Sequence, residues 1–269
     1  MERKRARNQP LSAQIADSLR DDIENNRLKP GDELPSYEDL ANQWDCTTAM
    51  VGQAITLLKT TSGLVDSKRG RKARVLAPRP RITRSSDRHQ QEKDLVLKTE
   101  EERRQAGAAE IDLGIPLKQL EFQASYKQVQ AGKWAEDFGI PESDEVLERT
   151  YETIDPQRGI RVAWSKSYIP LALLADNAAL LDEENEPWPG GTQHQLYTVG
   201  IEIDYIDDYV TAVFPSTSDA DAWGLRTGVP LLEATRVSID TENRTVEISV
   251  AHYPADLTEL KFPTQLNRW

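Results

Sequence analysis

The stretch that decides the fold of the N-terminal part runs PGDELPSYEDLANQWDCTTAMVGQAITLLKTTSGLV over residues 30–65. Ser36 precedes Asp39 by three residues, which is the spacing of a helix capping box, so a helix is predicted to begin at Ser36. Asp45 tolerates the left-handed conformation of a tight turn, and Thr47 can cap a second helix. The stretch therefore predicts a helix, a turn and a second helix.

The second of these helices carries its apolar residues on one face. The spacing i, i+3, i+4 and i+7 is typical of a helix packed on its neighbours, and the residues are Val51, Ala54, Ile55 and Leu58. Apolar residues at every fourth position predict an earlier helix over residues 12–26. Two short helices joined by a tight turn are the arrangement of a helix-turn-helix that reads DNA.

A charged hairpin, which we call the wing, is predicted directly after these helices. Leu64-Val65 and residues 73–76 are apolar and predict two short strands around the tip SKRGRK, where Gly70 permits the turn. The basic residues of the wing are Lys68, Arg69, Arg71, Lys72 and Arg74. A tip of this charge can lie along a phosphate backbone or enter a minor groove. A merely solvated hairpin is the alternative.

Charge is distributed unevenly along the 269 residues, whose formal net charge is −12. Residues 1–93 carry 18 Lys and Arg against 13 Asp and Glu, whereas the remaining residues carry 15 against 32. Basic side chains near phosphates add salt-dependent affinity without sequence preference. The distribution favours double-stranded DNA as a partner of the N-terminal part and keeps the acidic remainder off DNA.

Cysteine usage and hydropathy indicate the cellular compartment in which the protein is expected. The single cysteine, Cys46, excludes an intramolecular disulfide and a cysteine-based zinc cluster, which suits a reducing cytoplasm. The three histidines lack metal-ligand spacing, so we predict no metal site and no cofactor. The basic N-terminus MERKRARNQP lacks the apolar segment of a signal peptide, and no apolar run approaches a membrane span. We expect a cytoplasmic protein without a membrane partner.

The chain is predicted to hold two domains. A first domain over residues 1–77 is followed by a linker rich in Pro, Arg and Ser over residues 78–93, and by a second domain over residues 94–269. That domain is predicted to begin with a charged helix over residues 94–109. Its strands are predicted at 120–129, 146–153, 160–168, 203–214, 231–240 and 245–253, and its short helices at 131–138, 171–175, 192–199 and 218–223. This pattern predicts an α+β domain with a mostly antiparallel sheet.

The motifs of both domains resemble known ones. Residues 14–75 resemble the winged helix-turn-helix of the GntR transcription regulators through PGDELPS, EDLANQW and the Gly63-Leu64-Val65 that precedes the wing. The second domain resembles the UTRA effector-binding domain of the HutC branch through VLERTYETID, SKSYIP and GVPLLEATRVSIDTENRTVEISVAHYPAD. The resemblance implies a homodimer, a six-stranded antiparallel sheet related to the chorismate lyase fold, and a small effector that changes DNA affinity.

The DNA-contacting positions depart from this family. The family usually has arginine where this chain has Glu38, Thr48 and Gly52, and the resemblance implies that these positions contact DNA. Because an arginine fork on guanine contributes about 1–3 kcal/mol of discrimination, we expect a different operator. The candidate DNA-binding residues are Ser36, Thr47, Thr48, Gln53, Lys68, Arg69, Arg71 and Lys72. For Thr47, helix capping and a DNA contact are compatible.

The resemblance also implies a ligand site in the second domain. It places Arg149 at a ligand-binding strand position, where its fork suits a phosphate or carboxylate, and an ion pair with Glu148 or Glu152 is the alternative. Tyr151 and Ser165 replace the second arginine and the acidic residue usual in the family, which favours a ligand less charged than a sugar phosphate. The candidate effector-binding residues are Arg149, Tyr151, Ser165, Gln195 and Tyr253.

Three functions follow from these patterns. The leading prediction is a ligand-responsive transcriptional regulator, a homodimeric repressor that binds a pseudo-palindromic operator. The second is a DNA-binding dimer whose ligand pocket is vestigial. The third, a chorismate-lyase-like enzyme, is disfavoured because residues 94–269 show no nucleophile with a partnered base, no spaced carboxylate pair and no metal set. We therefore predict that the protein is not an enzyme.

Overall fold

The computed structural model describes residues 9–67, 71–79, 81–105, 120–157 and 159–266. The packing of the chain divides it into two compact units. Unit 1 comprises Met1–Pro80 and Leu225–Val229, and unit 2 comprises Arg81–Gly224 and Pro230–Trp269. The division after Pro80 falls inside the predicted linker.

Unit 1 is a winged helix-turn-helix. Its elements in chain order are α1 (Leu11–Glu24), α2 (Tyr37–Trp44), α3 (Thr48–Ser62), β1 (Val65–Asp66) and β2 (Arg74–Val75). The two strands pair antiparallel, with Val65 opposite Val75. The predicted helices and wing strands are therefore confirmed. The middle of the wing tip, residues 68–70, lies outside the described residues.

The ends of α2 and α3 follow from single residues. The Ser36 hydroxyl accepts a hydrogen bond from the Asp39 amide while the Asp39 carboxylate accepts one from the Ser36 amide, which completes the predicted capping box. Asp45 ends α2 in the left-handed conformation with φ 48°, and the Thr47 side chain caps α3. Gly63 ends α3 with φ 59°, a conformation that costs glycine little.

The core of unit 1 is a single apolar cluster. The predicted stripe of α3 is buried together with the inner face of α1, where Ile15 and Ala16 are fully buried. Leu34, Leu40 and Val75 close the cluster from the loop before α2, from α2 and from the wing. The helices are held by this apolar packing, which leaves the polar side of α3 exposed.

Unit 2 is built on a six-stranded antiparallel sheet with the strand order β4-β5-β6-β9-β8-β7. The strands are β4 (Glu121–Gln130), β5 (Glu145–Asp155), β6 (Ile160–Pro170), β7 (Ile203–Val213), β8 (Leu231–Asp240) and β9 (Thr245–Pro254). All six were predicted within two residues of these bounds. A separate parallel pair joins β3 (Ile82–Ser85) to β10 (Thr258–Lys261).

The helices of unit 2 are short. They are α4 (Asp87–Leu95), α5 (Glu100–Gln105), α6 (Ala135–Phe138), α7 (Gly191–Tyr197) and α8 (Thr217–Ala222), with 3-10 segments at Gly132–Trp134, Leu171–Leu174, Ala178–Leu181 and Glu183–Asn185. Of the single charged helix predicted over residues 94–109, the structure shows the last two residues of α4 and the whole of α5, as far as residue 105, where the description stops. Most of α4 lies in the segment predicted as a linker, residues 78–93. Thr99 and Glu102 form a capping box that starts α5 anew, with Glu102 accepting from the Thr99 amide at 2.9 Å.

Two kinds of feature are absent from the described residues. No described helix combines the length and apolarity needed to cross a bilayer. The described side chains also contain no group of three or more His, Cys, Asp and Glu residues arranged to hold a metal ion.

Candidate functional site

The first candidate site is the exposed side of α3 with the start of α2. Thr48 and Gln53 are exposed on α3, as a DNA-contacting role requires. The hydroxyls of Ser36 and Thr47 are at the starts of α2 and α3, where each accepts a backbone amide hydrogen bond, at 3.1 Å from Asp39 and at 3.3 Å from Met50. The structure thus brings these four predicted residues to one helix-turn-helix, two of them as caps.

The Ser36 hydroxyl also donates to the Asp39 carboxylate, with 2.6 Å between the oxygens. Hydrogen bonds from the side chain and amide of Ser36 lower the pKa of Asp39 below its usual value. The Asp39 carboxylate therefore stays charged, and its negative charge stabilises the N-terminus of α2. The two residues fix where the helix begins.

The described part of the wing is basic, but a nearby carboxylate neutralises part of its positive charge. Lys68 and Arg69 lie outside the described residues. Lys72 and Arg74 flank Glu33, at 3.9 Å and 3.2 Å from its carboxylate oxygens. Arg71 is exposed and makes no ion pair with a described residue. Of the wing positions that the structure describes, Arg71 therefore has the charge most available to a phosphate.

The second candidate site is one face of the sheet in unit 2. The strand register aligns Arg149, Ser167, Ser249, Arg236 and Asp208 in one row across five neighbouring strands. Directly opposite residues point to the same face of a sheet. This row therefore concentrates polar and charged side chains on one face.

The next row on this face has small residues on the three strands next to Tyr151. Two positions along each strand, Tyr151, Ser165, Ala251 and Ala234 lie opposite one another. Small side chains in the middle of a sheet leave room above it. A cavity of about 200 Å³ occupies this space, lined by Tyr151, Ser165, Ala234, Ala251 and Tyr253 among others.

Helix α4 and the start of α7 supply the other walls of this cavity. Arg88 and Glu92 of α4 and Thr192 and Gln193 of α7 line it. Helix α4 is attached to the sheet through His89, whose Nε2 lies 2.9 Å from the Asp208 carboxylate. The cavity thus lies between the sheet and two short helices.

The five predicted effector-binding residues separate into two groups. Tyr151, Ser165 and Tyr253 line the cavity, whereas Arg149 and Gln195 do not and lie in a buried polar network beside it. Glu247 lines the cavity and belongs to this network as well. The two groups are therefore adjacent.

Arg149 is 1% exposed, and both of its terminal guanidinium nitrogens are hydrogen bonded. Its Nη2 lies 2.8 Å from the Glu247 carboxylate and donates to Ser167 at 2.6 Å, while Nη1 donates to the Gln195 side-chain oxygen. Burial disfavours the charged form, but Tyr151 and Glu247 raise the pKa of Arg149 above its ordinary value, so it stays charged. The ion pair forms with Glu247, whereas Glu148 pairs with Lys166 and Glu152 with Arg161.

Gln195 connects Arg149 to a second carboxylate, that of Glu186. Gln195 Nε2 and the Tyr151 hydroxyl each donate to Glu186 at 3.0 Å, and the Tyr126 hydroxyl donates to the same oxygen. Burial raises the pKa of Tyr151 well above its ordinary value and that of Tyr126 to about 12. Both phenols therefore stay protonated as donors.

Sequence reasoning missed Asp208, Arg236 and Glu247. Asp208 accepts from Arg236 Nε at 2.9 Å and contacts His89. Although burial alone would raise the pKa of Asp208, hydrogen bonds with His89 and Arg236 hold it well below its usual range. The signal that could have found them is a charged residue at an inward-facing position of each of β7, β8 and β9, where charged residues are uncommon. In the structure Glu247 is buried, and Asp208 and Arg236 are half-buried. Only the register shows that they share one cavity.

Comparisons with protein families match both units. The model of the bacterial regulatory proteins of the gntR family matches residues 11–75. The model of the UTRA domain matches residues 124–259. Together these matches cover the helix-turn-helix, the wing and nearly all of the six-stranded sheet.

Solved structures that are similar to this chain have low sequence identity to it. A putative GntR-family transcriptional regulator has a TM-score of 0.69 at 20% identity, covering 96% of this chain and 99% of the other. PhnF from Mycobacterium smegmatis has a TM-score of 0.49 at 19% identity over 96% and 100% of the two chains. No curated protein matches. The chain therefore belongs to the GntR family of bacterial regulatory proteins, as a ligand-responsive DNA-binding transcriptional regulator that joins a winged helix-turn-helix to a UTRA domain.

Proposed function

We propose that this regulator is a cytoplasmic homodimeric repressor. It binds a pseudo-palindromic operator with one α3 per protomer in successive major grooves, and a small effector in the sheet cavity changes its DNA affinity. The cavity of about 200 Å³ carries the proposal, because a UTRA domain whose cavity is lined by charged and hydroxyl-bearing side chains has a place for such a ligand.

The DNA side of the proposal rests on what α3 exposes. Thr48 and Gln53 are exposed at its N-terminal half, the part of a recognition helix that meets base edges. A glutamine side chain can donate to and accept from adenine, whereas a threonine offers a hydroxyl and a methyl group. The basic wing adds phosphate contacts that raise affinity for any sequence.

The effector side rests on the charge of the cavity. Arg149 is neutralised by Glu247, and Arg236 by Asp208, so neither offers a free guanidinium to a phosphate. The cavity instead offers hydroxyls from Tyr151, Ser165, Ser167, Thr192, Ser238, Ser249 and Tyr253. At about 200 Å³ it is smaller than the pockets that hold drug-sized ligands. The effector is a small polar metabolite with little net charge.

The wing is tested by the salt dependence of binding to DNA from upstream of the gene. Replacing Arg69 and Arg71 with alanine should reduce the slope of log affinity against log salt by about 0.9 for each phosphate that the variant no longer neutralises. Replacing Lys127 and Lys133 of unit 2 with alanine is the matched control and should leave the slope unchanged. A slope unaffected by the wing variant would remove the wing from DNA binding.

The cavity is tested by filling its floor. Ala234→Leu places three extra carbons beside Ala251 and should abolish both effector-induced thermal stabilisation and the effector's influence on DNA binding. Uncharged and zwitterionic metabolites are screened against their phosphorylated counterparts, and a ligand at a hundred times its Kd should stabilise by about 2.7 kcal/mol. Ala222→Leu, at an exposed position of α8, is the control. A response that survives Ala234→Leu would place the effector elsewhere.

A further inference from the structure

Tyr37, the first residue of α2, is an exposed aromatic residue next to the recognition helix. Its side chain is 41% exposed. Its ring lies on α3, because the Cε2 atom would be 3.4 Å from a β-carbon added at Gly52. Gly52 lies one turn after Thr48 and outside the buried stripe of α3. The ring therefore covers helix backbone at a point where another residue would extend a side chain.

Three other hydroxyls near this surface are already hydrogen bonded within unit 1. Ser36 and Thr47 cap α2 and α3, and Thr56 Oγ1 donates to the Gly52 carbonyl oxygen at 2.9 Å. The Tyr37 hydroxyl, by contrast, makes no hydrogen bond to a described residue. It is free to bond a group that approaches from outside.

The chemistry of tyrosine suits a DNA contact at this point. The phenol both donates and accepts hydrogen bonds, and the ring offers an apolar surface to a thymine methyl group. A tyrosine has few rotatable bonds, so holding it in place costs little conformational entropy. Its packing on Gly52 restricts it further before DNA arrives.

We infer that Tyr37, resting on Gly52, is a specificity-determining residue for DNA. It contacts base pairs next to the N-terminal half of α3, where the helix itself presents backbone at Gly52. The inference rests on the proposed operator binding. It explains how a recognition helix with a glycine in its exposed face can still discriminate between sequences.

The test is selection of DNA by the full-length protein from a duplex library randomised over about 30 base pairs, enough for two half-sites. The wild-type protein should enrich a two-fold symmetric motif. Tyr37→Ala should lose the preference at one symmetric set of base pairs and bind the wild-type motif about tenfold more weakly. Tyr37→Phe keeps the ring on Gly52, should preserve the motif and should lose about threefold from the missing hydroxyl.

Two controls separate this role from a structural one. Tyr197→Ala removes a comparably exposed tyrosine of unit 2 and should leave the motif and the affinity unchanged. Tyr37→Ala should melt within about 2 °C of the wild type, since Tyr37 is a surface residue. Variants of Tyr37 that select the same motif within twofold of wild-type affinity would overturn the inference. A wild-type protein that enriches no motif would instead overturn the proposed operator binding, and this inference with it.

Discussion

The two units of this regulator differ in what they bury. Among the described residues, the side chains that are both polar or charged and buried all belong to unit 2; they are Arg149, Thr153, Asp155, Ser167, Gln193, Gln195, Ser238, Asp240, Glu247 and Thr258. The core cluster of unit 1 is entirely apolar. Burying polar groups costs free energy unless each is hydrogen bonded. In unit 2, six of these residues line the cavity or belong to the hydrogen-bonded network beside it, whereas unit 1 keeps its polar groups at the surface, where DNA can reach them.

Breaking the buried ion pair of unit 2 should have the largest effect on stability. Glu247→Ala leaves the Arg149 guanidinium buried without its carboxylate, and removing one partner of a buried pair costs about 3–5 kcal/mol. Tryptophan fluorescence during urea unfolding measures this, since five of the six tryptophans belong to unit 2. Glu148→Ala, which breaks a more exposed pair with Lys166, should cost about 1 kcal/mol or less. Equal losses from the two variants would mean that burial does not set the cost.

The second prediction concerns acid. Because the pKa of Asp208 is lower in the folded protein than in the unfolded chain, its stabilising effect is present above the unfolded pKa of about 3.9 and is lost as pH falls toward the folded value. Unit 2 should therefore weaken progressively below about pH 4. Asp208→Asn should cost about 1.5–3 kcal/mol at pH 7 and flatten the acid side of the stability profile.

The exposed Asp207 on the same strand provides the control for this experiment. Asp207→Asn should leave the acid profile close to that of the wild type. An unchanged profile in Asp208→Asn would show that the bonds to His89 and Arg236 do not govern acid sensitivity. Urea unfolding at a series of pH values measures all three proteins.

The same contrast explains what could be predicted from the sequence. In unit 1 the signals are local: Ser36 and Asp39, three positions apart, cap a helix, and the α3 stripe repeats within about two turns. In unit 2 the strands were predictable from alternation, but the cavity joins Tyr151, Asp208 and Tyr253 through strand pairing. Register across five strands depends on packing of distant segments, which no short window of sequence contains.

The resemblance to a family predicted part of the candidate site in unit 2. It selected Tyr151, Ser165 and Tyr253, which line the cavity, and Arg149, which lies beside it. It could not indicate that Glu247 neutralises Arg149, because that partner lies on a strand 98 residues later in the chain. The charge of a ligand site depends on such pairs and not on the presence of an arginine alone.

Removing the cap of α2 tests the stability of unit 1 on a smaller scale. Ser36→Ala deletes the hydroxyl that accepts the Asp39 amide and should destabilise α2 by about 1 kcal/mol. Hydrogen exchange of the α2 amides measures this locally. Thr61→Ala, whose hydroxyl donates to the Leu57 carbonyl oxygen inside α3, is the control and should change protection by less than about 0.5 kcal/mol. Similar losses from both would argue against a specific capping effect.

The smallest expected effect is a gain in stability at Gly52. A β-carbon there meets Tyr37 Cε2 at 3.4 Å, an ordinary contact distance, so Gly52→Ala should be accommodated. Since glycine inside a helix is less stable than alanine by about 0.5–1 kcal/mol, α3 should gain about that much, measured by hydrogen exchange of its amides. Gly63→Ala, at φ 59°, should instead lose stability because a side chain is strained in that conformation. A gain in stability for Gly52→Ala with unchanged DNA selection would show that Gly52 acts only as a packing surface for the Tyr37 ring. Altered selection would show instead that DNA approaches the helix backbone at residue 52.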